Sequence, residues 1–135
     1  MFWEVDGRIG EFWTIRHFEA GVPFRFSPVR NWEVGGFHRL DENTGEGTYF
    51  EFRGGNIEML ATGIYMVHID IRNDRLLIEP ARVYLIGDVM NNNWNAENPA
   101  HLFTASGTTL VSPIFVDSGY LRMFAASSIA GASDW

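Results

Sequence analysis

No stretch of this chain sustains a helical period. Apolar, aromatic and β-branched runs are short, and each is closed by a turn signal such as Asp6-Gly7, Gly54-Gly55-Asn56, Asn73-Asp74, Ser106-Gly107 or Asp117 to Gly119. Punctuation roughly every 8–12 residues leaves room for strands and tight turns but not for long helices. The predicted fold class is all-β, an antiparallel immunoglobulin-like β-sandwich.

The clearest strand is residues 63–72, GIYMVHIDIR. Tyr65, Val67, Ile69 and Ile71 share one face. Ile64, Met66, His68 and Asp70 share the other, a mixed face expected to be partly wet. Residues 75–79 return as its hairpin partner. Further strands are predicted over 1–5, 11–19, 48–52, 57–60, 83–86, 100–104, 108–116 and 120–124, with Pro113 at an edge. Residues 27–36 read as a loop, 37–47 as a polar, glycine-punctuated stretch, and 125–135 as a small-residue loop or one short helical turn.

With 46% hydrophobic and 20% charged residues the chain is globular rather than disordered. The net charge of −7 repels phosphate backbones, so no nucleic-acid partner is expected. Cysteine is absent, which excludes disulfides and thiolate metal sites. No apolar run reaches the roughly 20 residues of a membrane-spanning helix. The first residues lack a basic and apolar leader and a lipidation cysteine, so any signal or lipid anchor is expected outside this sequence.

Catalytic and metal signatures are weak. His17, His38, His68 and His101 show no close ligand spacing. Residues 41–45, DENTG, misplace the glycine of a calcium loop. Residues 131–135, GASDW, lack the second glycine of a nucleophile elbow. The 17 acidic residues offer many pairs, and spacing singles out none as a glycosidase pair. No cofactor and no metal are expected, and no enzymatic activity.

The organising stretch is VYLIGDVMNNNWN, residues 83–95. A run apolar on both faces stops at Gly87, and an asparagine-rich loop follows that carries Trp94. A weak internal repeat surrounds it. Phe2, Asp6-Gly7, Phe18, Gly21, Phe24-Arg25-Phe26 and Trp32 are matched in order by Phe103, Ser106-Gly107, Phe115, Gly119, Leu121-Arg122-Met123 and Trp135. The repeat predicts two units cut out of phase. Residues 1–80 form a near-complete module lacking its first strand, and residues 81–135 form the first half of a second.

Three segments, VYLIGDVMNNNWN, GYLRMFAASSIAGASDW and NIEMLATGIYMVHIDI…RLLIEP, together resemble the SusE/SusF-type surface lipoproteins of Bacteroidetes, which carry tandem β-sandwich starch-binding modules. The resemblance covers most of the chain. It implies non-catalytic binding of starch or a related polysaccharide at the outer-membrane surface. It also implies a platform of paired aromatic rings with a basic and a polar side chain beside it. Carried over, Trp94 and Trp135 are the rings of the second module, with Arg122 as donor and Asn93 among the amides. Trp32 and Arg25 are the remnants of a first site. The family often has lysine where this chain has arginine, which bears on sugar preference.

The chemistry is consistent with those residue types. One pyranose face is rich in C–H bonds and buries apolar area against an indole, while a guanidinium donates in-plane to hydroxyls. Trp94 either presents its ring in this way or packs down to pin its loop. Arg25 and Arg122 either donate to a ligand or line a solvated strand face. Trp3 and Trp13 are expected in the core or on a packed sheet face. A ligand-free spacer module and a fragment of a glycoside hydrolase are the alternative readings. Unpaired strand edges over residues 81–135 predict strand exchange between copies, a homodimer, unless the VYLIG strand folds back onto the first module.

Overall fold

The computed structural model describes residues 1–26 and 40–129. Trp32 and Trp135 lie outside the described residues. The strands are β1 (Trp3–Glu4), β2 (Glu11–Phe18), β3 (Glu42–Thr44), β4 (Phe50–Arg53), β5 (Asn56–Met59), β6 (Gly63–Asp70), β7 (Arg75–Pro80), β8 (Arg82–Gly87), β9 (Thr104–Ser106), β10 (Thr109–Val111) and β11 (Leu121–Ala126). The main sheet has the order β1-β2-β6-β7-β3, and β4-β5, β8-β11 and β9-β10 form separate pairs. All these pairings are antiparallel except β3 with β7. The all-β sandwich expected from the turn spacing is what the structure shows.

Strand β6 is the middle of the molecule. Tyr65, Val67 and Ile69 enter one core with Phe50, Ile57 and Met59 of β4 and β5. The opposite face was expected to be partly wet, and it is not. Met66 and His68 are fully buried and Asp70 is 2% exposed. The reason is a second layer: Met66 packs with Val83 of β8 and Ala125 of β11, with Trp13, Ile15, Phe103 and Leu110 around them. The register sets Ile15 opposite Met66 and Trp13 opposite His68, which puts these side chains on that face. Residues on both sides of position 80 therefore contribute to one buried layer, although β8 pairs with β11 and not with the main sheet.

Four local expectations are corrected. Residues 100–104 do not form one strand. Asn98 caps a 3₁₀ turn, Pro99–His101, by accepting a bond from the Ala100 N–H at 3.0 Å, and Pro99 sits where a missing N–H costs nothing. The strand predicted over 108–116 stops at Val111. Beyond Pro113 the Val116 and Asp117 N–H groups donate to the Val89 carbonyl instead. Glu42–Thr44, in the polar, glycine-punctuated stretch where no strand was predicted, adds a short strand beside β7. Strand β11 runs to Ala126, because Phe124, Ala125 and Ala126 are buried against the second layer. The hairpins proposed as repeats both exist, with Gly7 at φ 72° and Gly107 at φ 60° in their turns. The second is shorter: β10 has 3 residues where β2 has 8.

A buried polar line ties the layers together. His68 Nε2 lies 3.1 Å from Glu11 Oε2, and Nδ1 lies 3.0 Å from Ser127 Oγ. Burial pushes the imidazole below its ordinary value, against the pull of the Glu11 charge and hydrogen bond and of Asp70. A neutral ring then donates from Nε2 to Glu11 and accepts at Nδ1 from the Ser127 hydroxyl. Burial raises the Asp70 pKa, but bonds from the Asn73 side chain and backbone and the Arg72 N–H, with His68 nearby, bring it below its usual value.

These two shifts have the same sign in acid. The unfolded chain protonates His68 near the ordinary 6.5 while the folded chain resists, so stability falls as pH drops below that value. Asp70 adds stability above its ordinary 3.8 that is lost as pH falls through its lower folded value. Urea denaturation from about pH 7 to about pH 5 should show a falling midpoint, and His68→Asn should flatten that slope. Ser127→Ala leaves the buried Nδ1 without its donor and should cost about 1–3 kcal/mol at neutral pH. A midpoint for Ser127→Ala equal to that of the parent would show that the line holds nothing together.

Candidate functional site

The site is built where β8 ends. Register sets Arg122 opposite Ile86 and Leu121 opposite Gly87, so Arg122 stands on the strand beside the point where the asparagine loop departs. Gly87 has φ 125°, and a Cβ there would lie 2.4 Å from the Tyr120 carbonyl oxygen. Only glycine allows the chain to turn this close to β11. The turn is locked on both sides. Gly87 N–H donates to the Asn93 carbonyl at 2.8 Å, and Asp88 exchanges bonds with Tyr120, its N–H to the Tyr120 carbonyl at 2.8 Å and its Oδ2 accepting the Tyr120 N–H at 3.1 Å.

After the 3₁₀ turn Asp88–Met90, Asn91 and Asn92 take left-handed conformations, φ 57° and 53°. Asparagine tolerates this region better than other side chains do. The loop then braces itself: Asn93 Oδ1 accepts from the Asn95 N–H at 2.9 Å, and Asn95 Oδ1 from the Glu97 N–H at 3.2 Å. Trp94 is held outward, 44% exposed. Its Nε1 donates to Asn92 Oδ1 at 2.9 Å, and the Arg122 guanidinium carbon lies 5.9 Å from the centre of its ring.

Trp94, Arg122 and Asn93 are thus brought together, and Asn93 serves mainly to shape the loop. Arg25 is elsewhere, between Phe24 and Phe26, and its Nε donates to Asn56 Oδ1 at the start of β5. Asn92, which fixes the indole, was one amide among several in the sequence and only its φ and its bond single it out. Trp3 does not pack in the core: it is 61% exposed, because β1 is an edge strand of 2 residues. Trp13 packs around the second layer as expected. The Glu11–His68–Ser127 line has the composition of a nucleophile relay, but His68 is fully buried and Ser127 is 2% exposed, so substrate has no route to it. Among the described residues no three metal-ligand side chains gather.

No family model matches the sequence. The chain is 32% identical over 139 aligned residues to the outer membrane protein SusF of Bacteroides thetaiotaomicron, covering 97% of this chain and 29% of SusF. The crystal structure of SusF from that organism matches with a TM-score of 0.86 at 31% identity, over 99% of this chain and 32% of the SusF chain. The chain is SusE/SusF-like. It spans less than a third of the SusF length, with agreement in sequence and in fold along nearly all of its own.

In this SusF-like segment the turn that leads into the Trp94 loop depends on Gly87. Gly87→Ala should shift the loop, lower stability by about 1–3 kcal/mol and change Trp94 fluorescence. An alanine variant with parent-like melting and emission would show that the close approach to Tyr120 is not required.

Proposed function

We propose that this chain binds polysaccharide without catalysis, an α-glucan of the starch class, at the surface of the bacterial outer membrane. The carrying observation is the outward Trp94 indole, fixed by Asn92 and flanked by Arg122. The SusF likeness supports the setting, since that relative is named an outer membrane protein. Attachment would come from a lipid anchor outside this sequence.

A sugar laid on the indole gains about 1–3 kcal/mol from buried apolar area. The indole N–H is already bonded, so the ring offers mainly its surface. Hydroxyls at the ring's edge fall to Arg122, which donates in a fixed plane. Trp135 is the proposed second ring of this site. Trp32 and Arg25 are the proposed remnants of a site in the preceding module. In this reading residues 1–80 end one module and residues 81–135 open the next. The separate β8–β11 pair and the loop-bearing strand β8 fit an opening element.

Affinity electrophoresis in amylopectin tests the central claim. The parent chain should be retarded, and Trp94→Ala should abolish most of that retardation. Arg122→Gln should weaken it about five-fold, the value of roughly one hydrogen bond. Parent-like retardation of Trp94→Ala would remove the indole from the site.

Among the described residues β11 pairs only with β8, so its outer edge offers free backbone groups. Leu121 and Met123 on it are 43% and 68% exposed. We expect copies of this chain to associate along that edge. Multi-angle light scattering should show a dimer that dissociates when Met123 is replaced by lysine, and a monomer at high concentration would refute the association.

A further inference from the structure

The four asparagines that follow Asn91 share one asymmetry. Asn92 Oδ1 accepts the Trp94 indole N–H at 2.9 Å, and Asn93 Oδ1 accepts the Asn95 N–H at 2.9 Å. Asn95 Oδ1 accepts the Glu97 N–H at 3.2 Å, and Asn98 Oδ1 the Ala100 N–H at 3.0 Å. Each side-chain carbonyl is spent within the loop. None of the four amide nitrogens donates to another described residue. An amide carries its acceptor at one end and its two donors at the other, so a loop that consumes the oxygens leaves the N–H groups for a ligand or for water.

At Asn92 this polarity meets the indole. The indole N–H can only donate, so the end of the amide that faces it is the oxygen, and the orientation of the group is settled by chemistry. Asn92 Nδ2, two bonds from that oxygen, therefore stands at the pyrrole edge of the ring. Asn92, Trp94 and Arg122 are all exposed, so a molecule lying on the ring reaches the amide directly. Arg122 adds the same polarity. Among the described residues it has no carboxylate partner, and its contact is with the ring. A guanidinium never accepts a hydrogen bond. The two polar side chains that the structure places at the indole thus offer donors alone.

Donors alone determine what is read. A sugar hydroxyl can donate and accept, but this rim engages only its oxygen lone pairs, and the hydroxyl proton stays with water. A net charge of −7 makes an anionic ligand unfavourable, so the acceptors that fit are the oxygens of a neutral sugar.

We propose that Asn92 is a ligand-contacting residue of the Trp94 site, and that with Arg122 it recognises glycan oxygens purely as acceptors, so that ether oxygens serve as well as hydroxyls. The proposal rests on the reading of Trp94 as a sugar platform. It gives the amide contact to Asn92 rather than to the half-buried Asn93, whose bond shapes the loop.

Titration calorimetry on the parent chain, Trp94→Ala and Asn92→Asp, with β-cyclodextrin and its fully O-methylated ether, tests this. Methylation removes every hydroxyl proton and keeps every oxygen. The parent should bind the two within about three-fold of each other. Asn92→Asp keeps an acceptor for the indole N–H, so tryptophan emission and melting temperature should match the parent, but an oxygen replaces the donor end. Cyclodextrin hydroxyls can turn to donate to that carboxylate, whereas ethers cannot. Asn92→Asp should therefore bind cyclodextrin about three-fold more weakly than the parent and the ether about twenty-fold more weakly. If Asn92→Asp shifts the emission, the ratio of its two affinities still decides, because a displaced ring weakens both ligands alike. A parent-like ratio in Asn92→Asp, with binding lost in Trp94→Ala, overturns the Asn92 contact and leaves the platform standing. A parent that binds cyclodextrin but not the ether overturns acceptor-only recognition. A parent that binds neither overturns the platform and the proposal together.

Discussion

Everything in this fold is arranged around one strand with no free face. Strand β6 buries Tyr65, Val67 and Ile69 on one side and Met66, His68 and Asp70 on the other. A strand in that position excludes water from both sides, so any polar group on it must find its partners within the protein. His68 finds them across the layer boundary, in Glu11 from β2 and Ser127 just past β11. Asp70 finds them locally, in the Asn73 backbone and side chain. The second layer is positioned by aliphatic contact through Met66 and keyed by the polar line through His68. Apolar contact alone would tolerate a sliding register, whereas a hydrogen bond at 3.0 Å does not.

Fixing β11 fixes the site. Ser127 follows β11 directly, and β11 is in register with β8, so the line at its C-terminal end governs where Arg122 stands at its N-terminal end. Arg122 faces the end of β8, and the loop leaves at Gly87 under the Tyr120 carbonyl. The loop's own bonds then run from asparagine to the next backbone N–H, each closing a small turn. A surface loop built this way would lose little further freedom on binding a ligand, as a shallow site requires.

The strands were legible in the sequence because each carries its own period and its own stop. Residues 63–72, with alternating Tyr65, Val67 and Ile69, and VYLIG, apolar on both faces, appear as β6 and β8. The wetness of the Met66–His68–Asp70 face was not legible. A histidine and an aspartate on an alternating strand read as solvated, and only the layer supplied by Val83 and Ala125 reverses that. Their separation along the chain hides it, as it hides the pairing of His68 with Glu11 and Ser127. The end of β10 was missed for a local reason, since Thr108 to Val116 is β-prone throughout while Pro113 and the bonds to the Val89 carbonyl end the ladder. The loop and its tryptophan were visible as a motif that resembles a family, but the roles of Gly87 and Asn92 follow from φ angles and bonds that composition does not encode.

The guanidinium beside the indole sets two uses of the ring against each other. A cation over an exposed tryptophan is worth about 0.5–1 kcal/mol, and at 5.9 Å Arg122 lies at the outer limit of that contact. A sugar stacked on the same ring gains about 1–3 kcal/mol, and a hydroxyl bonded to the displaced guanidinium recovers roughly another 1 kcal/mol. On the proposed reading a sugar would therefore win even where it had to move the arginine aside. The arginine rests at the margin of the ring, loosely enough that a stacked ligand could take the ring face. A lysine would hold its charge at a point with three rotating donors. The planar fork keeps its donors in one plane, so arginine rather than lysine at this position would govern which hydroxyl orientations a ligand on the ring could use more than the strength of the contact.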